Sequence, residues 1–214
     1  MRADARRNHE RLLEAARDVF VERGPDAPLE EIARRAGVGI ATLYRRFPDR
    51  SLLMHAVVLA ALTATAEAAE QSRREHPDAL DALAAYMHAV IDLRTSAVIP
   101  TLLDSVDLDR PDLKTARERS ARPAEQLLDA AHRSGALRKD VTFGDVGLML
   151  VRLSRPLPGT IPEPTQLELA HRHADLFLSG LRADPSAPPL DGPALERADL
   201  QRIRDETAGR ARRR

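Results

Sequence analysis

Leu12, Leu13, Ala16, Val19 and Phe20 recur at steps of three and four residues, and the same period returns in nearly every long segment of the chain. That spacing gathers apolar groups on one face of a helix, whereas a half-buried strand needs strict alternation, which no segment shows convincingly. The chain is therefore expected to be all-α. Glycine and proline supply the punctuation. "ERGPDAP" (22–28) ends the first helix, Gly37 ends a short one from Leu29 to Ala36, and a second short one runs from about Gly39 to Phe47. Asp49 is placed to cap a long alanine-rich helix from Arg50 to Glu75, which His76-Pro77 stops.

Further helical segments are expected at about Asp78 to Thr95, Ala97 to Ser105, Pro111 to Ser134, Thr142 to Ser154 and Thr165 to Leu181. Thr142 with Asp145, and Thr165 with Glu168, read as capping-box starts. Pro100 and Pro123 fall inside periodic stretches, where a kink or boundary is expected. The proline-rich stretch 154–164 reads as a crossover. Residues 184–214 read as a flexible Pro/Arg-rich tail, with a frayed helix near Pro193 to Thr207.

Composition narrows the function. A chain of 214 residues with 43% hydrophobic content holds one domain, or one small and one larger domain sharing a core. The N-terminus lacks the apolar stretch and cleavage site of a signal peptide, and no apolar run suggests a bilayer span, so a cytoplasmic location without membrane contact is expected. The absence of cysteine fits a reducing compartment. Net charge is zero, so any affinity for nucleic acid must come from a local patch.

"GVGIATLYRRF" (37–47) is the candidate patch. Two adjacent arginines beside a tyrosine suit either a solvated face or a surface laid against phosphates and base edges. Two short helices about a glycine turn form a helix-turn-helix pattern. Leu43 and Phe47 are i, i+4 neighbours and point inward with Val38, leaving Ile40, Ala41, Thr42, Tyr44, Arg45 and Arg46 on the other sides. Small residues at the helix start allow close approach to a groove, and the hydroxyl and guanidiniums can bond phosphates. A merely solvated face needs neither.

"LLEAARDVFVERG…LEEIARRAGVGIATLYRRFPDRSLLMHAV" resembles the N-terminal region of the TetR family of transcriptional regulators over about residues 8–58. The resemblance implies a helix-turn-helix DNA-binding domain over residues 1–50 and a helical effector-binding and dimerisation bundle over 51–183. It places Ile40, Ala41, Thr42, Tyr44, Arg45 and Arg46 at DNA-contact positions, and Arg50 at a basic position that touches phosphate. Pro28 and Leu29 stand where many members carry a capping Ser or Thr, Gly39 replaces a more usual polar residue, and Glu30 and Glu31 add negative charge nearby.

A small-molecule effector between the bundle helices is likewise implied. Its candidate lining comprises the larger or polar groups on apolar helices: Tyr86, His88, Ile91, Arg94, Leu102, Leu103, Met149 and Arg152. Arg152 and Arg155 suit an acidic ligand or ion pairs at the crossover equally well. The helices near Thr142 to Ser154 and Thr165 to Leu181 are the expected homodimer seam, through Leu150, Leu153, Leu169, His173, Phe177 and Leu181.

No catalytic pattern is present. His171 and His173 are two apart and diverge on a helix, so they cannot share a metal as an i, i+4 pair would. Neither a phosphate-cradling glycine loop nor a nucleophile elbow occurs, and no cofactor is expected. The expected function is a homodimeric, ligand-responsive repressor of double-stranded DNA at a palindromic operator. Its rivals are a ligand-binding bundle without operator binding and a helical protein-interaction module.

Overall fold

The computed structural model describes residues 2–102, 105–157, 159 and 161–211. Among these, helices follow in the order α1 (Arg2–Arg23), α2 (Leu29–Arg35), α3 (Ile40–Arg46), α4 (Arg50–Glu75), α5 (Ala79–Asp92), α6 (Thr95–Leu102), α7 (Pro111–Arg133), α8 (Phe143–Leu153), α9 (Glu163–Leu181) and α10 (Arg197–Ala211). The extended pairing among the described residues is one isolated antiparallel bridge, Leu137 to Arg182. The fold is all-α.

Two apolar cores share one helix. The first joins Leu12, Val19 and Phe20 of α1 to Ile32 of α2, Leu43 of α3, Leu53, Val57 and Val58 of α4, and Val98 and Leu102 of α6. The second joins Leu83, Met87 and Val90 of α5 to Leu127 of α7, Leu150 of α8, and Ala174, Leu178 and Leu181 of α9, with Ala68 and Ala69 of α4 against them. Helix α4 thus enters the first core with its first half and the second with its last. Its 26 residues span about 39 Å at about 1.5 Å per residue. Contrary to the sequence reading, α4 is long and apolar enough to match a membrane span by length and composition. Its apolar residues are consumed instead by packing against α1, α5, α6 and α7.

Local signals explain several helix starts. The Asp49 carboxylate accepts the Leu52 N–H at 2.8 Å and the Ser51 hydroxyl at 2.8 Å, satisfying donors that a helix start leaves free. Asp78 does the same for Leu80 and Asp81 on α5. Thr142 and Asp145 form the expected capping box on α8. Three expectations are corrected. Helix α9 starts at Glu163 rather than Thr165, with Pro164 in its first turn, where proline's missing N–H costs nothing. Both Pro100 and Pro123 lie within continuous helices, α6 and α7.

The third correction concerns the C-terminal segment. Residues 183–195 run back over the bundle and are bonded to it. Ala183 N–H donates to the Ala136 carbonyl (2.8 Å), the Arg138 guanidinium to the Pro188 carbonyl (2.7 Å), and Gly144 N–H to the Leu195 carbonyl (2.9 Å). Prolines suit such a strand-like path because it needs few backbone donors. Composition announced a tail; side-chain and backbone partners elsewhere in the chain hold it.

Candidate nucleic-acid interface

The turn between α2 and α3 is built from backbone geometry. Ala36 N–H donates to the Ile32 carbonyl (2.9 Å) and Val38 N–H to the Ala33 carbonyl (3.0 Å). Gly37 stands between them at φ 67°, a left-handed conformation that a side chain disfavours. Leu43 is fully buried and Phe47 nearly so, and together they fix the roll of α3 over the first core. Ile40 shares that stripe at i, i+3 and i, i+7, and it packs half-buried against the same core. It was expected to face a groove; its spacing from Leu43 and Phe47 turns it inward instead.

What α3 leaves outside is Ala41, Tyr44, Arg45 and Arg46, all exposed, with Thr42 half-exposed beside them. Tyr44 is 46% accessible, a large exposure for an aromatic ring. The Arg45 guanidinium donates to the Thr42 hydroxyl at 3.0 Å, which pre-positions it along the helix. Arg46 Nε donates to His9 Nδ1 at 3.3 Å, and the His9 ring stacks on Phe47 with centroids 5.7 Å apart. A Cβ added at Gly39 would meet nothing within 4 Å, so its smallness keeps the start of α3 open rather than serving packing.

Arg50 is turned to another task. Its guanidinium donates to the carbonyls of Pro25 (2.7 Å) and Ala27 (2.6 Å), tying the start of α4 to the α1–α2 turn. The acidic residues near the interface are also largely spoken for. Glu31 pairs with Arg23 at 2.6 Å and with Arg35 at 3.0 Å. Glu22 pairs with Arg35 at 2.6 Å, and that hydrogen bond holds the Glu22 carboxyl below its usual range. Arg94, at the α5–α6 junction, lies 3.9 Å from Glu22, so one charge network ties α1, α2 and the bundle together.

Below this region a cavity of about 330 Å³ opens between α4, α5, α6, α7, α8 and α10. Of the residues expected to line an effector site, Tyr86 does so; it is buried, and burial pushes its phenol well up, keeping the hydroxyl neutral. The others lie elsewhere. Ile91 and Arg94 line a separate cleft beside α1. Leu102 is buried in the first core, and Met149 and Arg152 sit on the outer side of α8, outside the cavity lining. Leu103 lies outside the described residues. His88 faces α9, where its ring stacks on His171 with centroids 4.8 Å apart and its Nε2 meets Asp175 at 2.9 Å. The His171 Nε2 meets Asp92 at 2.7 Å, so two His-Asp pairs cross between α5 and α9.

Sequence reasoning missed Thr65, Thr95 and Ser120, hydroxyls on apolar helix faces, and Gly147 and Val151 of α8, all of which line the cavity. Isolated hydroxyls at helical spacing were the available signal. The expected seam also divides. Leu150 and Leu181 are buried in the second core, and Leu153 and Phe177 pack partly against it. Leu169 is half-exposed and His173 exposed, and they share the outer face of α9 with Leu176, which is 61% accessible.

A short helix pair with one buried and one exposed face, followed by a helical bundle with a cavity between its helices, defines the class of helix-turn-helix proteins that carry a helical C-terminal bundle. Residues 12–57 match the family model described as bacterial regulatory proteins, tetR family. Residues 78–183 match the C-terminal domain of SbtR-like transcriptional regulators. The TetR transcriptional regulator SCO0520 from Streptomyces coelicolor is 31% identical with a TM-score of 0.59, covering 83% of this chain and 99% of its own. LfrR from Mycobacterium smegmatis, solved in complex with proflavine, is similar in fold at 20% identity and a TM-score of 0.59, over 80% of this chain and 96% of its own. An HTH-type transcriptional regulator of Staphylococcus aureus (strain USA300) is 41% identical over 59 residues, 27% of this chain and 32% of that protein. The chain thus spans about a third of the length of the curated relatives it matches. It belongs to the TetR family of transcriptional regulators, which are DNA-binding factors and not enzymes.

Proposed function

We propose that this protein is a homodimeric, ligand-responsive repressor that binds a palindromic operator in the cytoplasm and releases it when a small molecule fills the bundle cavity. The observation that carries this reading is the reach of α4. Its first turn is bonded through Arg50 to the α1–α2 turn, and its fourth and fifth turns contribute Ala61, Leu62 and Thr65 to the cavity wall. A ligand pressing on those turns can tilt the reading head without touching it. A coupling of about 1–3 kcal/mol changes DNA affinity about 5- to 150-fold.

Tyr44, Arg45 and Arg46 supply the phosphate contacts in this reading, with Ala41 and Thr42 nearest the groove floor. Dimerisation belongs to this reading because one short helix reads few base pairs, whereas a pair reads successive major grooves about 34–36 Å apart. The outer face of α9, with Leu169, His173 and Leu176, and the exposed Leu148 of α8 support a seam there. That LfrR, similar in fold, was solved in complex with proflavine supports a small-molecule ligand for this chain.

Selection from a random duplex pool tests the proposal. Enrichment of an inverted repeat, lost with a Tyr44→Ala/Arg46→Ala variant, is the expected result. A pool that stays random through successive rounds contradicts it and favours a ligand-binding bundle without operator binding.

A further inference from the structure

The C-terminal segment does more than lie along the bundle; it completes the cavity. Asp140 starts the path. Its carboxylate takes two hydrogen bonds from Arg138 (3.0 and 2.9 Å) and one from the Leu190 N–H (2.8 Å). The Arg138 bonds, then the Leu190 bond, hold that carboxyl well below the usual range. The next anchor is Gly144 on α8, whose N–H meets the Leu195 carbonyl. A Cβ at Gly144 would stand 2.4 Å from that oxygen, a distance no side chain tolerates, so glycine is what lets the segment close over α8. Two residues on, α10 begins, and Arg197, Leu200 and Gln201 form part of the cavity lining.

The chemistry of the completed cavity is one-sided. Leu62, Ile99, Phe143, Leu150 and Leu200 give it an apolar body, while the Thr65 and Thr95 hydroxyls stand 2.9 Å apart. Its charged lining residues are Arg117 and Arg197, with no carboxylate, lysine or histidine among the lining residues described. Arg117 lies 4.0 Å from Asp109 and 3.5 Å from the Leu108 carbonyl. Arg197 is held by Glu125 at 3.2 Å, and both side chains are about one-third accessible. A bound anion can therefore replace Glu125 at the guanidinium while Glu125 turns to water, and the segment stays docked. A cation would meet two guanidiniums, with no carboxylate among the described lining residues to receive it.

Resting on the reading of this cavity as the effector site, we infer that the C-terminal segment is its closing wall and that the effector is an anionic amphiphile whose head group binds Arg197 and Arg117. Apolar burial supplies the tail's affinity, and charge-assisted hydrogen bonds to planar guanidiniums select the head.

Calorimetric titration of the full chain with decanoate, decanol and decylammonium, which share one tail, tests this. Decanoate should bind one per chain and about ten-fold or more tighter than decanol, a ratio worth a single charge-assisted bond, and decylammonium weakest. Arg197→Gln should erase the preference of decanoate over decanol, Arg197→Lys should restore part of it, and neither should move the melting temperature of the free protein. Gly144→Ala, which forces Leu195 away, should weaken all binding. Equal binding of the three heads, or a preference that survives Arg197→Gln, overturns the inference while leaving an effector cavity in place. Failure of every tail to bind contradicts the effector reading as well.

Discussion

Arg46 Nε donates to His9 Nδ1 at 3.3 Å, and the His9 ring lies on Phe47. One side chain from the third turn of α1 therefore fixes both an outward arginine of α3 and the inward residue that closes the helix. The contact requires an unprotonated Nδ1, and burial, followed by the Arg46 charge, lowers the His9 pKa.

A depressed histidine pKa has a defined consequence for stability. The unfolded chain takes up the proton first, near about pH 6.5, so the contribution of His9 is present above that value and is lost as pH falls through the lower folded value. Urea unfolding at pH 7.5 and 5.0 should show this loss, and it should shrink in His9→Gln. An equal loss in both proteins would detach His9 from the effect.

Tyr44→Ala and Arg46→Ala should each weaken DNA binding uniformly across sequences. Arg46→Ala should also reduce the slope of log affinity against log salt by about one, since one phosphate contact disappears. Titrations at several salt concentrations measure both. A change of base preference at a single operator position would reassign that residue to the groove floor.

Leu43 is fully buried beneath α3, and Leu43→Ala should cost about 2–5 kcal/mol, read as a shift in denaturant midpoint. The loss of DNA binding should follow the unfolded fraction, because the exposed face is untouched.

Leu176→Asp places a charge on the outer face of α9 and should give monomers of unchanged helical content. Leu150→Ala should instead destabilise the protomer and enlarge the cavity, leaving association intact, because Leu150 is buried in the second core. Sedimentation and circular dichroism separate the two outcomes. A dimer that persists in Leu176→Asp moves the interface elsewhere.

The contrast between Leu150 and Leu176 shows how far sequence carried. Period and punctuation gave the helices, the turn at Gly37 and the caps at Asp49 and Thr142, because these depend on a few neighbouring residues. They did not say which face of α8 and α9 meets the protomer's own core, since both faces carry leucines and only the packing of α5 and α7 decides. The cavity was legible only through Tyr86. Three of its other polar groups, Thr65, Thr95 and Ser120, come from three helices and converge only in space. Arg50 kept its expected place at the head of α4, but the nearby Pro25 and Ala27 carbonyls, which no periodicity reveals, claim its guanidinium. The C-terminal path was hidden for the same reason: its partners, Ala136, Arg138, Asp140 and Gly144, lie some 50 residues upstream.

The central claim is that two copies of α3 read one duplex. Native mass spectrometry of the protein on the selected operator measures it directly. Two chains per duplex, falling to none with a half-site and with Leu176→Asp, is the result this account predicts. A single chain bound to a half-site with the affinity of the whole operator would contradict it.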